Sequence, residues 1–204
     1  MGMKGQKTTS DYLPIEEFIR FLEGLHIDKL YSWEFYCRIS FYTALRVSDV
    51  LTLKWSDLLN HKELMKVEQK TTKGRRIKLE TGLTQEIAFF YQLLGSPDIN
   101  QPFFLNPRTG KAYGKDYINR KLKYFRVKYR LNVGAFSTHS LRKTFARYYF
   151  ESQDCSTEAM LTLKGLLNHA DLSTTSRYIG LKQDKEDEAY YSAFHAVSLN
   201  GINN

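Results

Sequence analysis

Cysteine is nearly missing from this chain of 204 residues: Cys37 and Cys155 are its two, and they form no C-x-x-C pair. A disulfide framework and a four-cysteine zinc site are thereby excluded, and a reducing compartment fits. Histidine is sparse too, since His26, His61, His139, His169 and His195 are scattered with no pair at H-x-x-x-H spacing. No metal site is expected from such a set, nor any cofactor, because a glycine-rich phosphate loop is also lacking. Long apolar runs are absent: no stretch approaches the roughly 20 residues that span a bilayer. The opening MGMKGQKTTS has no apolar run of a leader. Together these gaps predict a cytoplasmic protein without membrane contact, and argue against metal-dependent nucleases and P-loop enzymes.

What is present is positive charge. Thirty Lys and Arg against 22 Asp and Glu give +8, and QDKEDE at residues 183–188 holds four of the acids and one Lys, a net −3, which leaves +11 on residues 1–182. Clustered cations favour a polyanionic partner, because neutralising phosphates releases counterions. Nucleic acid leads, beside the plainer reading of a solubilising surface. With 42% hydrophobic residues, the chain can bury the core of one domain.

Pro14 with Glu16 and Glu17 predicts a helix over 14–25, since a missing N–H costs nothing there and carboxylates meet the positive dipole end. Residues 29–45 are apolar enough for a largely buried helix, followed by a second over 47–53. Leu64 to Glu68 and Arg75 to Leu79 alternate around a polar turn and predict a hairpin. Helical spacing returns over 84–94, GSPDINQP breaks it, and Phe103 to Leu105 could add a strand. Over 115–130, Ile118, Leu122, Phe125 and Tyr129 mark an apolar stripe opposite seven cations. Further helices fit 138–150, 156–167, 173–179 and 184–197. The expected class is mainly α with a small antiparallel sheet (α+β).

Single motifs say little. His139 and Arg142 in THSLR lie three apart, so a helix aims both one way; chance supplies such a pair often. His169 precedes Tyr178 by nine residues, with Asp171 or Ser173 able to cap the helix bearing the tyrosine. Among 14 tyrosines, Tyr178 alone reads as packing. Four segments taken in order are more specific. TALRVSDVLTLKWSDL (43–58), EQKTTKGRRIKL (68–79), HSLRKTFA (139–146) and LLNHADLSTTSRYIG (166–180) resemble the motif boxes of the tyrosine recombinase, or phage integrase, family.

That resemblance implies the fold of a recombinase catalytic domain over residues 12–182, a flexible N-terminus over 1–11 and a C-terminal helix and tail over 183–204. Family members usually carry another DNA-binding domain ahead of the catalytic one, and no separate one is expected here. The implied active site is Arg46, Lys70, His139, Arg142 and His169 with Tyr178 as nucleophile, and Asp49 bracing an arginine. Lys73 and Lys78 compete with Lys70, but the interval from Lys70 to Leu79 matches the family hairpin. Lys73, Arg75, Arg76, Lys115, Arg120, Lys123 and Arg126 are implied DNA contacts. The implied activity is site-specific cleavage and rejoining of double-stranded DNA through a 3′-phosphotyrosyl bond, which stores the energy for ligation and needs no ATP. Self-association on DNA, as a recombinase tetramer, and a place at the nucleoid follow by the same resemblance. The terminal segment, with Tyr190, Phe194, Val197 and Leu199, is expected to dock on its own domain or on a neighbour's. The alternatives are strand relaxation of the type IB topoisomerase kind and a catalytically silent DNA-binding regulator.

Overall fold

A computed structural model describes residues 10–59, 61–70 and 72–197, the side chains of residues 182–186 and 195–197 excepted. Most of the expected N-terminal arm, and Leu199 of the tail, lie outside the described residues. The chain forms two compact units, residues 1–148 and 149–204. Its elements are mainly helical with one two-stranded antiparallel sheet, as the sequence predicts.

In the first unit, α1 (Ile15–Ile27) starts after Pro14, carries Glu16 and Glu17 in its first turn, and buries Phe18, Phe21, Leu22 and Leu25. That spacing is one helical stripe, and it packs on α2 (Tyr31–Thr43). Helix α2 is buried on nearly every side, from Trp33 to Thr43, which is why its sequence shows no clean polar face. Phe35 stacks on Trp55 at 5.0 Å between ring centres and Tyr36 on Phe104 at 4.5 Å, so α2 is the axis of the core.

Three expectations for this unit need correction. The helix over 47–53 stops early, as α3 (Val47–Val50), and Lys54 opens a separate short helix, α4 (Trp55–Leu58), where Asp57 accepts the Lys54 N–H at 2.8 Å. Residues 103–105 form no strand. Phe103 and Phe104 are both buried, yet they join no ladder, and only single bridges, Lys54 to Pro102 and Leu105 to Ala112, remain. Helix α5 (Thr81–Leu93) begins three residues sooner than expected, tolerating Gly82 in its first turn.

The hairpin pairs β1 (Glu63–Val67) with β2 (Gly74–Lys78), Glu63 opposite Lys78 and Val67 opposite Gly74. Helix α6 (Lys115–Lys128) buries Ile118, Leu122 and Phe125 and leaves its cations outside. Helix α7 (Thr138–Ser152) contributes Leu141, Arg142 and Ala146 to the buried set. In the second unit, α8 (Thr157–Leu166) is capped by Ser156, and α9 (Leu172–Tyr178) packs on both α8 and α10 (Leu181–Val197).

Candidate active site

The first unit gathers its functional side chains at the C-terminal end of α2. Ala44 adopts a left-handed conformation, φ 45°, which stops the helix and turns the chain so that Arg46 becomes the residue just ahead of α3. The last carbonyls of a helix have no partners within it and carry the negative end of its dipole. Guanidiniums meet them here. Arg142 donates to Ala44 O at 2.6 Å, and Arg75 donates to Ala44 O at 3.1 Å and Thr43 O at 2.7 Å.

A carboxylate holds the same group from the other side. Glu68, immediately after β1 and fully buried, pairs with Arg46, with Arg75 at 3.4 Å and, more loosely, with Arg142 at 3.8 Å. One negative charge against three positive ones leaves the cluster strongly electropositive. Burial and then the neighbouring Arg142 pull the Arg75 pKa down to about 10. Arg46 retains 17% of its side-chain surface and Arg142 only 4%, so Arg46 presents more of itself to a ligand.

Asp49 does not brace an arginine through its resolved hydrogen bond. Its Oδ1 accepts the backbone N–H of Gln69 at 2.9 Å, which ties α3 to the residue before Lys70. Lys70 itself lies exposed in the turn that follows β1, closed by Glu68 O accepting from Thr72 N at 2.9 Å. Lys73 is exposed on the returning side of the loop, and its carbonyl accepts from Glu68 N at 3.1 Å.

His139 stands one turn before Arg142 on α7, whose start is fixed by Asn119 Oδ1 accepting from Thr138 N at 3.0 Å. The ring keeps an exposed edge. Desolvation by the protein around it, then the charges of Lys115, Arg142, Lys143 and Arg46, hold its pKa below the usual 6.5. Neutral imidazole, able to accept a proton, is therefore its form at pH 7.

The second unit places its own candidate residues by local rules. Helix α8 ends with Asn168 in the left-handed region, φ 52°, His169 N donating to Lys164 O at 3.0 Å and Asn168 N to Gly165 O at 3.1 Å. Those two bonds make the reverse turn that asparagine tolerates at a helix end. They place His169 at the entrance to α9. Asp171, as expected of the two candidates, caps α9 by accepting from Thr174 N at 2.6 Å. His169 Nδ1 meets Thr175 Oγ1 at 3.1 Å, and its ring stands edge-on to Tyr178, 5.0 Å between centres. Gly180, φ 85°, ends the helix two residues after the half-buried Tyr178, while Ile179 is sunk in the core of the unit.

The expected DNA contacts divide. Lys73, Arg76, Lys115, Arg120, Lys123 and Arg126 are exposed, Arg76 paired with Glu63 and Arg120 lying over the Tyr117 ring at 5.8 Å. Arg75, expected on that surface, instead turns inward to Glu68 and the α2 carbonyls, because a guanidinium there satisfies helix-end acceptors. The residue that sequence reasoning missed is Glu68. Its one signal is an acid placed inside a run of Lys and Arg, and that signal is silent about direction. Among the described residues, no group of three or more His, Cys, Asp and Glu is placed to hold a metal ion. No described helix is long and apolar enough to cross a membrane.

Known proteins are similar to this chain. The model of the phage integrase family matches residues 14–185. A probable integrase/recombinase, YoeC of Bacillus subtilis (strain 168), is 34% identical over 148 residues, which cover 72% of this chain and 77% of that protein. Tyrosine recombinase XerC of Pelobacter propionicus is 30% identical over 155 residues, covering 74% of this chain and 48% of that protein. The chain thus spans most of YoeC but about half the length of XerC. In fold it is similar to XerA recombinase, with a TM-score of 0.65 at 21% identity over 95% of this chain and 66% of that one. It is also similar to XerH bound to a palindromic difH substrate, with a TM-score of 0.66 at 20% identity over 93% and 55% of the two chains. At such identities the structures speak for the fold alone. The family match covers most of the chain and agrees with the relatives in sequence: this protein belongs to the phage integrase family of tyrosine recombinases.

Proposed function

We propose that this chain cleaves and rejoins double-stranded DNA at specific sites, using Tyr178 as the nucleophile and a 3′-phosphotyrosyl bond as the intermediate. The observation that carries the reading is the guanidinium cluster, in which Arg46 and Arg142 come from distant parts of the chain to one buried carboxylate. Attack on a phosphodiester builds charge on the non-bridging oxygens, and forked, permanently charged donors stabilise it. In this reading Arg46 and Arg142 bind those oxygens and His169 donates to them. His139, held neutral by its surroundings, accepts the tyrosine proton. Lys70, on a loop anchored by Asp49, protonates the departing 5′ oxygen.

DNA is the partner, met by the exposed cations of α6 and of the hairpin, Lys115, Arg120, Lys123, Arg126, Lys73 and Arg76. Tyr190, Tyr191 and Phe194 of α10 are exposed and offer a surface for self-association on that DNA. Relatives that are named recombinases favour strand exchange over topoisomerase-like relaxation and over a silent regulator.

The test is covalent trapping on a nicked duplex whose cleavage product escapes before it can religate. The chain is expected to form an adduct, and Tyr178→Phe, which removes one oxygen and little volume, to bind the duplex and form none. An undiminished adduct in that variant overturns the assignment.

A further inference from the structure

The carboxylate at the centre of the arginines has no part in the chemistry above. Glu68 is wholly buried, yet it is the shared partner of Arg46, Arg75 and Arg142. A lone buried carboxylate is costly, and so are three neighbouring guanidiniums, so each group is tolerable only because of the other. Two further features make Glu68 more than a neutraliser. Its backbone is pinned at both polar atoms, N to Lys73 O at 3.1 Å and O to Thr72 N at 2.9 Å, which is the turn that carries Lys70. The next residue, Gln69, is held by Asp49 at 2.9 Å. A displacement of Glu68 is therefore felt by the arginines and by the lysine loop together.

We propose that Glu68 is a positioning residue: its carboxylate holds Arg46 and Arg142 in the geometry that receives the scissile phosphate, and weakens the grip of the DNA-free site on phosphate. The inference rests on the proposed function. Three guanidiniums without Glu68 carry one more unit of net charge, which binds any phosphate more tightly. They also lose their common acceptor, so they are less well placed for the charge that develops only during attack. Ground-state binding and catalysis then move in opposite directions, which distinguishes positioning from ordinary support of the fold.

The experiment uses the full chain and two variants, Glu68→Gln and Glu68→Asp. Duplex affinity is measured by titration at fixed salt, adduct formation on the nicked duplex at saturating DNA, and folding by thermal melting. Glu68→Gln is expected to bind duplex severalfold more tightly while its adduct forms up to about 100-fold more slowly, the scale of a misplaced donor. Glu68→Asp keeps the charge and shortens the reach, so affinity stays at the parental level and only the adduct rate falls. If Glu68→Gln binds no more tightly, or forms adduct at the parental rate once bound, Glu68 supports the fold and nothing more. If Glu68→Gln does not fold, Glu68→Asp decides by itself, a parental adduct rate overturning the proposal. Failure of the parent chain to form any adduct counts against the proposed function instead, and the affinity comparison still decides the charge effect of Glu68.

Discussion

The two units solve the problem of holding a reactive side chain differently. In the first, Arg46, Arg75 and Arg142 are fixed by partners far away in sequence: the end of α2, Glu68 and, through α7, Asn119. In the second, His169 and Tyr178 are placed by neighbours within a few residues, the Asn168 turn, the Asp171 cap and Thr175. The charges that receive the phosphate in the proposed function are embedded in a core, where reorganisation is costly. Tyr178, the nucleophile of the proposed function, sits on a seven-residue helix with few buried side chains.

The largest effect that would sharpen this contrast is Arg142→Ala. Removing a nearly buried donor should slow adduct formation by on the order of 100- to 1,000-fold. It also leaves the buried Ala44 carbonyl without its 2.6 Å donor, which should cost about 1 to 3 kcal/mol of stability by denaturant unfolding. Tyr178→Phe should change stability far less. Equal losses in the two variants would erase the distinction between an embedded and a locally held group.

Lys70→Ala comes next. A general acid that is missing should slow cleavage of ordinary DNA by about 100-fold, yet a 5′-bridging phosphorothiolate, whose sulfur departs unprotonated, should react almost as fast as with the parent chain. Lys73→Ala should slow both substrates slightly and equally. Rescue of Lys73→Ala by sulfur, and not of Lys70→Ala, would make Lys73 the acid and shift the role along the loop.

Smaller, but specific to the electropositive cluster, is a change in pH dependence. Because desolvation and then its neighbouring cations hold the His139 pKa below 6.5, cleavage should persist as pH falls past that value and decline only below it. Lys115→Ala removes the first of those cations, so the pKa should rise and the acid limb move to higher pH. An unmoved limb would separate His139 from the observed ionisation.

Much of the fold was legible because periodicity reports burial. The stripes of α1 and α6, the hairpin turn, the helix start after Pro14 and the cap at Asp171 follow from local chemistry. Phe103 and Phe104 misled because two adjacent aromatics, both buried, imitate a strand. Of the candidate site, the sequence shows residue types and their order, but not the direction in which each side chain turns. Arg75 and Arg76 are neighbours of one type, one turned to the α2 carbonyls and one to solvent, and only the register across the hairpin, Arg75 opposite Lys66 and Arg76 opposite Met65, decides which. Asp49 reads as an arginine's partner and instead holds Gln69; Glu68 reads as a surface acid and is the partner of three arginines.

The most direct test of the central claim is to find the atom that bears the DNA. After trapping on a nicked duplex, nuclease and protease digestion followed by mass spectrometry should place a 3′-phosphonucleotide on the peptide containing Tyr178, with Tyr190 and Tyr191 unmodified. A nucleotide on either of those tyrosines, or on no tyrosine at all, would contradict it.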